Sequence, residues 1–140
     1  MQTRVTWKEG MAFAADLDGF SISMDASPEH GGANRGPRPK GLTLVSLGGC
    51  TGMDVITILT RMRQQVTGLE VVVDSEIASD HPKRFETITV RYELTGVDLD
   101  PGRVRRAVQM SEHTYCGVSA SLRPGVQLRS EIWINGERLE

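Results

Sequence analysis

The chain has 140 residues, 39% of them apolar and 24% charged, with a formal net charge of -2. These values describe a globular chain and exclude a disordered one, and the length suits one domain over residues 1–140. The slightly acidic balance argues against nucleic acid or an anionic membrane as the main partner.

The N-terminal Met1–Trp7 stretch lacks the apolar core of a signal peptide. No run approaches the roughly 20 apolar residues that cross a bilayer. A cytoplasmic protein with no membrane partner is therefore expected. With only two cysteines, Cys50 and Cys116, a disulfide-stapled secreted scaffold is not expected. In a reducing compartment two lone cysteines are either buried small hydrophobes or a functional pair.

In chain order, three short strands come first. Arg4 to Lys8 alternates and ends at Glu9-Gly10, a turn signal; Met11 to Ala15 pairs with it as a hairpin. Phe20, Ile22 and Met24 alternate with polar residues, which gives a strand with one buried face. Ser27 to Pro39 is rich in Gly and Pro and reads as a long loop, of a length often tied to function. From Lys40 to Thr67 proline is absent and apolar residues fall into two sets at helical spacing, so a helix buried on most of its circumference is expected, ending at Gly68. Leu69 to Ser79 and Arg84 to Thr95 are strands, the second strongly alternating through Phe85, Ile88, Val90, Tyr92 and Leu94. Asp100 is a good N-cap and Pro101 a good first residue for a second helix, which runs to about Tyr115 and ends at Cys116-Gly117. Val126 to Ile134 is the last strand, closed by the Asn135-Gly136 turn. The order is βββ-α-ββ-α-β, an α+β fold with mostly antiparallel sheets.

Three glycines, Gly48, Gly49 and Gly52, surround Cys50 inside the first helix, although glycine in a helix costs about 1 kcal/mol relative to alanine. Either a substrate or a second backbone element approaches the sulfur, or the helix makes a tight crossing and Cys50 fills space. Cys116 has the same two readings, and the spacing between the cysteines carries no motif by itself. There is no C-x-x-C, and no spacing of His, Cys, Asp or Glu fits a metal site; no cofactor is expected. His30 and His81 fall in loops, and His113 sits one helical turn before Cys116. Asp54 lies one turn beyond Cys50. A carboxylate facing the sulfur would raise the thiol pKa, so Asp54 is expected to turn towards a polar partner or a helix cap.

The stretch G-P-R-P at Gly36–Pro39, then L-G-G-C-T-G-M-D-V at Leu47–Val55, then S-E-H-T-Y-C-G-V at Ser111–Val118, resembles the OsmC/Ohr (organic hydroperoxide resistance) family over nearly the whole chain. The resemblance implies an intertwined homodimer whose central helices are wrapped by sheets. It implies a thiol-dependent peroxidase acting on organic hydroperoxides. Cys50 matches the attacking cysteine and Cys116 the resolving one, and a dithiol reductant, of lipoyl type in the family's characterised members, restores the pair. It also implies an arginine that keeps Cys50 ionised and a glutamate that holds the arginine. Arg35 and Arg38 are the candidates, Arg35 preferred, with Arg84 in reserve. Two residues after the second proline, where the family usually has that glutamate, this chain has Gly41. Glu29 and Glu112 are then the carboxylates to consider. Two other functions fit the same fold: a binding protein for an apolar small molecule, and a thiol redox sensor acting on a partner protein.

Overall fold

A computed structural model describes all 140 residues. The chain packs as two compact units, Met1–Thr43 and Leu44–Glu140. The division falls early in the long helix, between Thr43 and Leu44.

The first unit is a three-stranded meander: β1 (Arg4–Glu9), β2 (Ala12–Leu17) and β3 (Phe20–Met24), in the order β1-β2-β3. Leu17 pairs with Phe20 across Asp18-Gly19, both residues with positive φ. That is the two-residue hairpin whose twist matches the strands. Beyond β3 the loop is not irregular. It contains a 3-10 turn at Pro28–His30 and is organised by Asp25. The Asp25 carboxylate, 3% exposed, accepts backbone N–H bonds from Ala26 at 2.7 Å, Ala33 at 3.1 Å and Arg35 at 3.1 Å. Burial alone would raise its pKa. The three N–H donors and the Arg35 charge outweigh burial and hold it below the ordinary aspartate value.

The second unit is built on a four-stranded sheet of β4 (Gln65–Ile77), β5 (Phe85–Val97), β6 (Gln127–Ile134) and β7 (Glu137–Leu139), in that order. β4–β5 and β6–β7 pair antiparallel, and β5–β6 pair parallel. The helices are α1 (Pro39–Arg61), α2 (Pro101–Met110) and α3 (Gly117–Leu122), with a π-helical segment at Ser111–Tyr115. Leu47, Val55 and Leu59 of α1 meet Ile88, Val90, Tyr92 and Leu94 of β5 and Val104, Ala107 and Val108 of α2 in one core. The expected α+β class and the order of its main elements hold, and the sheets are mostly antiparallel.

Several boundaries differ from the sequence reading, each for a local reason. α1 stops at Arg61 and not at Gly68, because Arg63 takes the left-handed position (φ 57°) that glycine was expected to fill. Arg103 donates to the Met62 carbonyl at 2.8 Å, so a cation from α2 caps this end. Gly68 instead sits in β4 beside a bulge, where a Cβ would lie 2.6 Å from Thr95 Oγ1. Phe85 falls out of phase with Ile88 because the β4–β5 register shifts between Glu76 and Ile77. The second helix breaks near Ser111, and Cys116 begins α3 instead of ending α2. Asn135-Gly136 does not close the chain but turns it into β7.

α1 is also long and apolar enough, by length and composition, to cross a membrane, which the sequence reading did not anticipate. Its Leu47, Val55, Ile58 and Leu59 are buried in the second unit's core, the role of a core helix.

Candidate functional site

α1 carries Cys50 and Asp54 at i and i+4, hence on one face. Cys116 comes from much later in the second unit's sequence, just before α3. α2 starts at Asp100, whose carboxylate accepts from Arg103 N–H at 3.1 Å, and runs into the wider π segment. There the Cys116 N–H bonds to the Ser111 carbonyl at 2.8 Å, and Cys116 leaves the helix with extended backbone. Its Sγ then accepts the Ser119 N–H at 3.3 Å, capping α3.

The result is a cluster: Sγ of Cys50, Sγ of Cys116 and a carboxylate oxygen of Asp54 all lie within 4.8 Å of one another. Both thiols are free, Cys50 half-buried and Cys116 buried. Asp54 meets the polar partner expected of it, accepting from Ser111 Oγ at 3.0 Å. It does not turn away from the sulfurs, however. Burial pushes the Cys50 thiol pKa up, and Cys116 and the Asp54 charge push it further, against a lowering pull from the Val118 N–H. Within its own unit these groups favour the neutral thiol of Cys50 over its thiolate.

Buried polar groups lie near the sulfurs. Thr51, fully buried, donates to the Leu47 carbonyl at 2.9 Å. The Tyr92 hydroxyl is fully buried without a partner in hydrogen-bonding geometry. Burial, with the charges of Glu112 and Cys116, drives its pKa well above the ordinary value despite a lowering contribution from Thr51. Glu112 is itself raised by burial, against Ser130, His113, Arg123 and Tyr92.

The glycines around Cys50 have a packing explanation. A Cβ at Gly48 would stand 3.0 Å from Val73 Cγ2, and one at Gly52 would stand 3.3 Å from Val71 Cγ2. They admit β4, a second backbone element, against α1. Gly49 is open, with nothing within 4 Å of a Cβ.

Arg35 and Arg38 both belong to the first unit. The Arg35 guanidinium pairs with Glu9 on β1, a carboxylate the sequence reading did not consider. Its signal was faint: a glutamate at a strand end, far from the loop in sequence. Arg38 donates to the Gly36 carbonyl at 3.0 Å. Arg84 pairs with Glu86 at 3.5 Å on an exposed strand start. Of the carboxylates considered, Glu112 lies in the second unit near Tyr92 and Glu29 is exposed. His113 is exposed, and His30 shares a 2.9 Å hydrogen bond with Ser27 Oγ.

The first unit also holds an apolar cavity of about 710 Å³, lined by Val5, Met11, Phe13, Met24 and Pro39 with Asp25, His30 and Arg38 among its polar members.

Comparison with known proteins agrees with these features. Residues 31–131 match the family described as OsmC-like protein. Protein YhfA of Escherichia coli is 36% identical over 129 residues, spanning 91% of this chain and 93% of YhfA. A crystal structure of a hypothetical protein from Aquifex aeolicus superposes with a TM-score of 0.85 at 25% identity, over 96% of this chain and 95% of the other. An organic hydroperoxide resistance protein from Elizabethkingia anophelis shares the fold, with a TM-score of 0.73 at 14% identity over 95% and 94% of the two chains. With its two sulfurs brought together at the junction of α1 and α3, this chain belongs to the OsmC family.

Proposed function

We propose that the protein is a thiol-dependent peroxidase that reduces organic hydroperoxides through Cys50 and Cys116. The observation that carries this reading is the approach of the two sulfurs to within 4.8 Å, from residues far apart in sequence. The Cys50 thiolate attacks one oxygen of the O–O bond. That bond breaks, an alcohol leaves with a proton, and Cys50 becomes a sulfenic acid. The Cys116 sulfur attacks this group, the S–S bond forms and water leaves. An external dithiol, of lipoyl type, then takes up the disulfide by exchange and restores both thiols.

Burial and Asp54 oppose the thiolate, so the reaction needs a cation at Cys50. Arg35 is the leading candidate, because Glu9 already fixes its guanidinium; Arg38 is the second. The working species is the 140-residue chain acting as one domain in a homodimer. Exposed apolar side chains on both units support association: Trp7 and Phe20 in the first, Val45 and Met53 in the second. Its two cysteines, too few for a disulfide-stapled scaffold, support a reducing compartment, the cytoplasm.

The test is a thiol count on the reduced protein before and after one equivalent of cumene hydroperoxide, with Cys50→Ser and Cys116→Ser alongside. Both thiols should vanish together in the wild type, while Cys50→Ser keeps its remaining thiol. Thiols that survive excess peroxide for many minutes would overturn the assignment. The apolar cavity of the first unit favours a second reading, a non-catalytic carrier of an apolar small molecule. Native mass spectrometry showing a stoichiometric apolar ligand, with inert thiols, is the outcome that reading requires.

A further inference from the structure

The peroxidase scheme uses two sulfurs and finds only an obstacle in Asp54. The three groups together have another chemistry. Sγ of Cys50, Sγ of Cys116 and an Asp54 oxygen lie within 4.8 Å of one another, half-buried or buried. Tetrahedral zinc holds thiolates at about 2.3 Å and carboxylate oxygens at about 2.0–2.2 Å, which sets its ligands roughly 3.5–3.8 Å apart. The three atoms would have to close by roughly 1 Å to reach that spacing.

We propose that reduced Cys50, Cys116 and Asp54 form a chelating site for a thiophilic divalent cation of the zinc class, and that cation binding and oxidation of the two cysteines exclude each other. The inference rests on this geometry and does not require peroxidase activity.

The surroundings favour it. Ser111 Oγ donates to Asp54 Oδ2 at 3.0 Å, and the Ser119 N–H is directed at Cys116 Sγ at 3.3 Å. Such outer contacts fix the orientation of metal ligands. The groups acting on Cys50 include Cys116, Asp54 and the Val118 N–H, so two sulfurs and a carboxylate face each other. Three protein ligands leave a fourth position open, on the half-exposed Cys50 side. Binding displaces one proton from each thiol: two protons leave, two thiolate bonds to the metal form, and no electron moves. The lone pair that would attack a peroxide is then held by the cation, and a disulfide offers no thiolate to bind it. Spacing rules miss such a site because the third ligand is remote in sequence.

The experiment titrates the reduced full-length protein, without air, with Co²⁺ alone, reading the thiolate-to-cobalt charge-transfer band. Zn²⁺ is then titrated against a chromogenic chelator. One ion per chain is expected, with a charge-transfer band that Zn²⁺ abolishes. Cys50→Ser and Cys116→Ser should each weaken Zn²⁺ binding by at least the roughly 10–100-fold that loss of an outer contact costs. Asp54→Asn should weaken it about tenfold while keeping the cobalt band, and circular dichroism establishes that each variant is folded. The disulfide form should bind no ion. Absence of the band at saturating Co²⁺, or Asp54→Asn binding as tightly as wild type, overturns the proposal. No peroxide is present, so the result is separate from that of the thiol count.

Discussion

The close approach of α1 to β4 makes a graded prediction at three glycines. Alanine gains about 1 kcal/mol over glycine inside a helix. At Gly48 that gain meets Val73 Cγ2 only 3.0 Å from the new Cβ. Overpacking of this kind costs about 1–3 kcal/mol, so Gly48→Ala should be neutral to destabilising by roughly 2 kcal/mol. At Gly52 the contact is 3.3 Å, and the two effects should nearly cancel. Gly41 meets nothing within 4 Å, so Gly41→Ala should stabilise by about 0.5–1 kcal/mol. Urea unfolding at one fixed protein concentration ranks the three, since association would make stability concentration-dependent. Adding Val73→Ala should relieve Gly48→Ala, with a coupling of about 0.5 kcal/mol or more. The reasoning fails if Gly48→Ala is as stabilising as Gly41→Ala and shows no coupling to Val73.

Asp54→Asn, in a Cys116→Ser background, should move the pH profile of Cys50 alkylation by iodoacetamide to lower pH, because the Asp54 charge disfavours the thiolate; an unmoved or raised profile contradicts the electrostatic picture. Glu112 has a raised pKa in the folded state, so its ionised form costs stability at pH values above its ordinary 4.5, and that cost is absent below. Glu112→Gln should therefore raise Tm at pH 7 and leave it unchanged near pH 4, as thermal scans at both pH values would report. Asp25 has a lowered pKa, so its contribution is full above about 3.8 and fades as pH falls through the lower folded value. Hydrogen exchange at the Ala33 and Arg35 amides should accelerate over that acid range, and Asp25→Asn should give fast exchange at every pH.

Much of the fold is legible in the sequence because it is written locally. Alternation marks β5 from Ile88 to Leu94, and Asp100-Pro101 marks the start of α2. The errors arise where a distant residue decides. Arg103 and Arg63 settle the end of α1, and a bulge opposite Ile77 shifts Phe85. The site follows the same division. The two cysteines stand out by composition and motif, but their approach depends on the π segment and the break at Ser111. Glu9 as the partner of Arg35, and Asp54 turned towards the sulfurs, are tertiary facts with no local mark. The glycines near Cys50 read as a close approach by a substrate or a second backbone element, and only the structure shows that two of them admit the valines of β4.

Cys116 is at once one of the two clustered sulfurs and the acceptor that starts α3, through the Ser119 N–H. An acceptor changes strength with its electron density: a thiolate attracts an amide proton strongly, and a sulfur bound to another sulfur does so weakly. Oxidation that joins the Cys116 sulfur to another sulfur would therefore loosen the first turn of α3, and reduction would tighten it. The oxidation state of two atoms would in this way be translated into backbone rigidity along Gly117–Leu122.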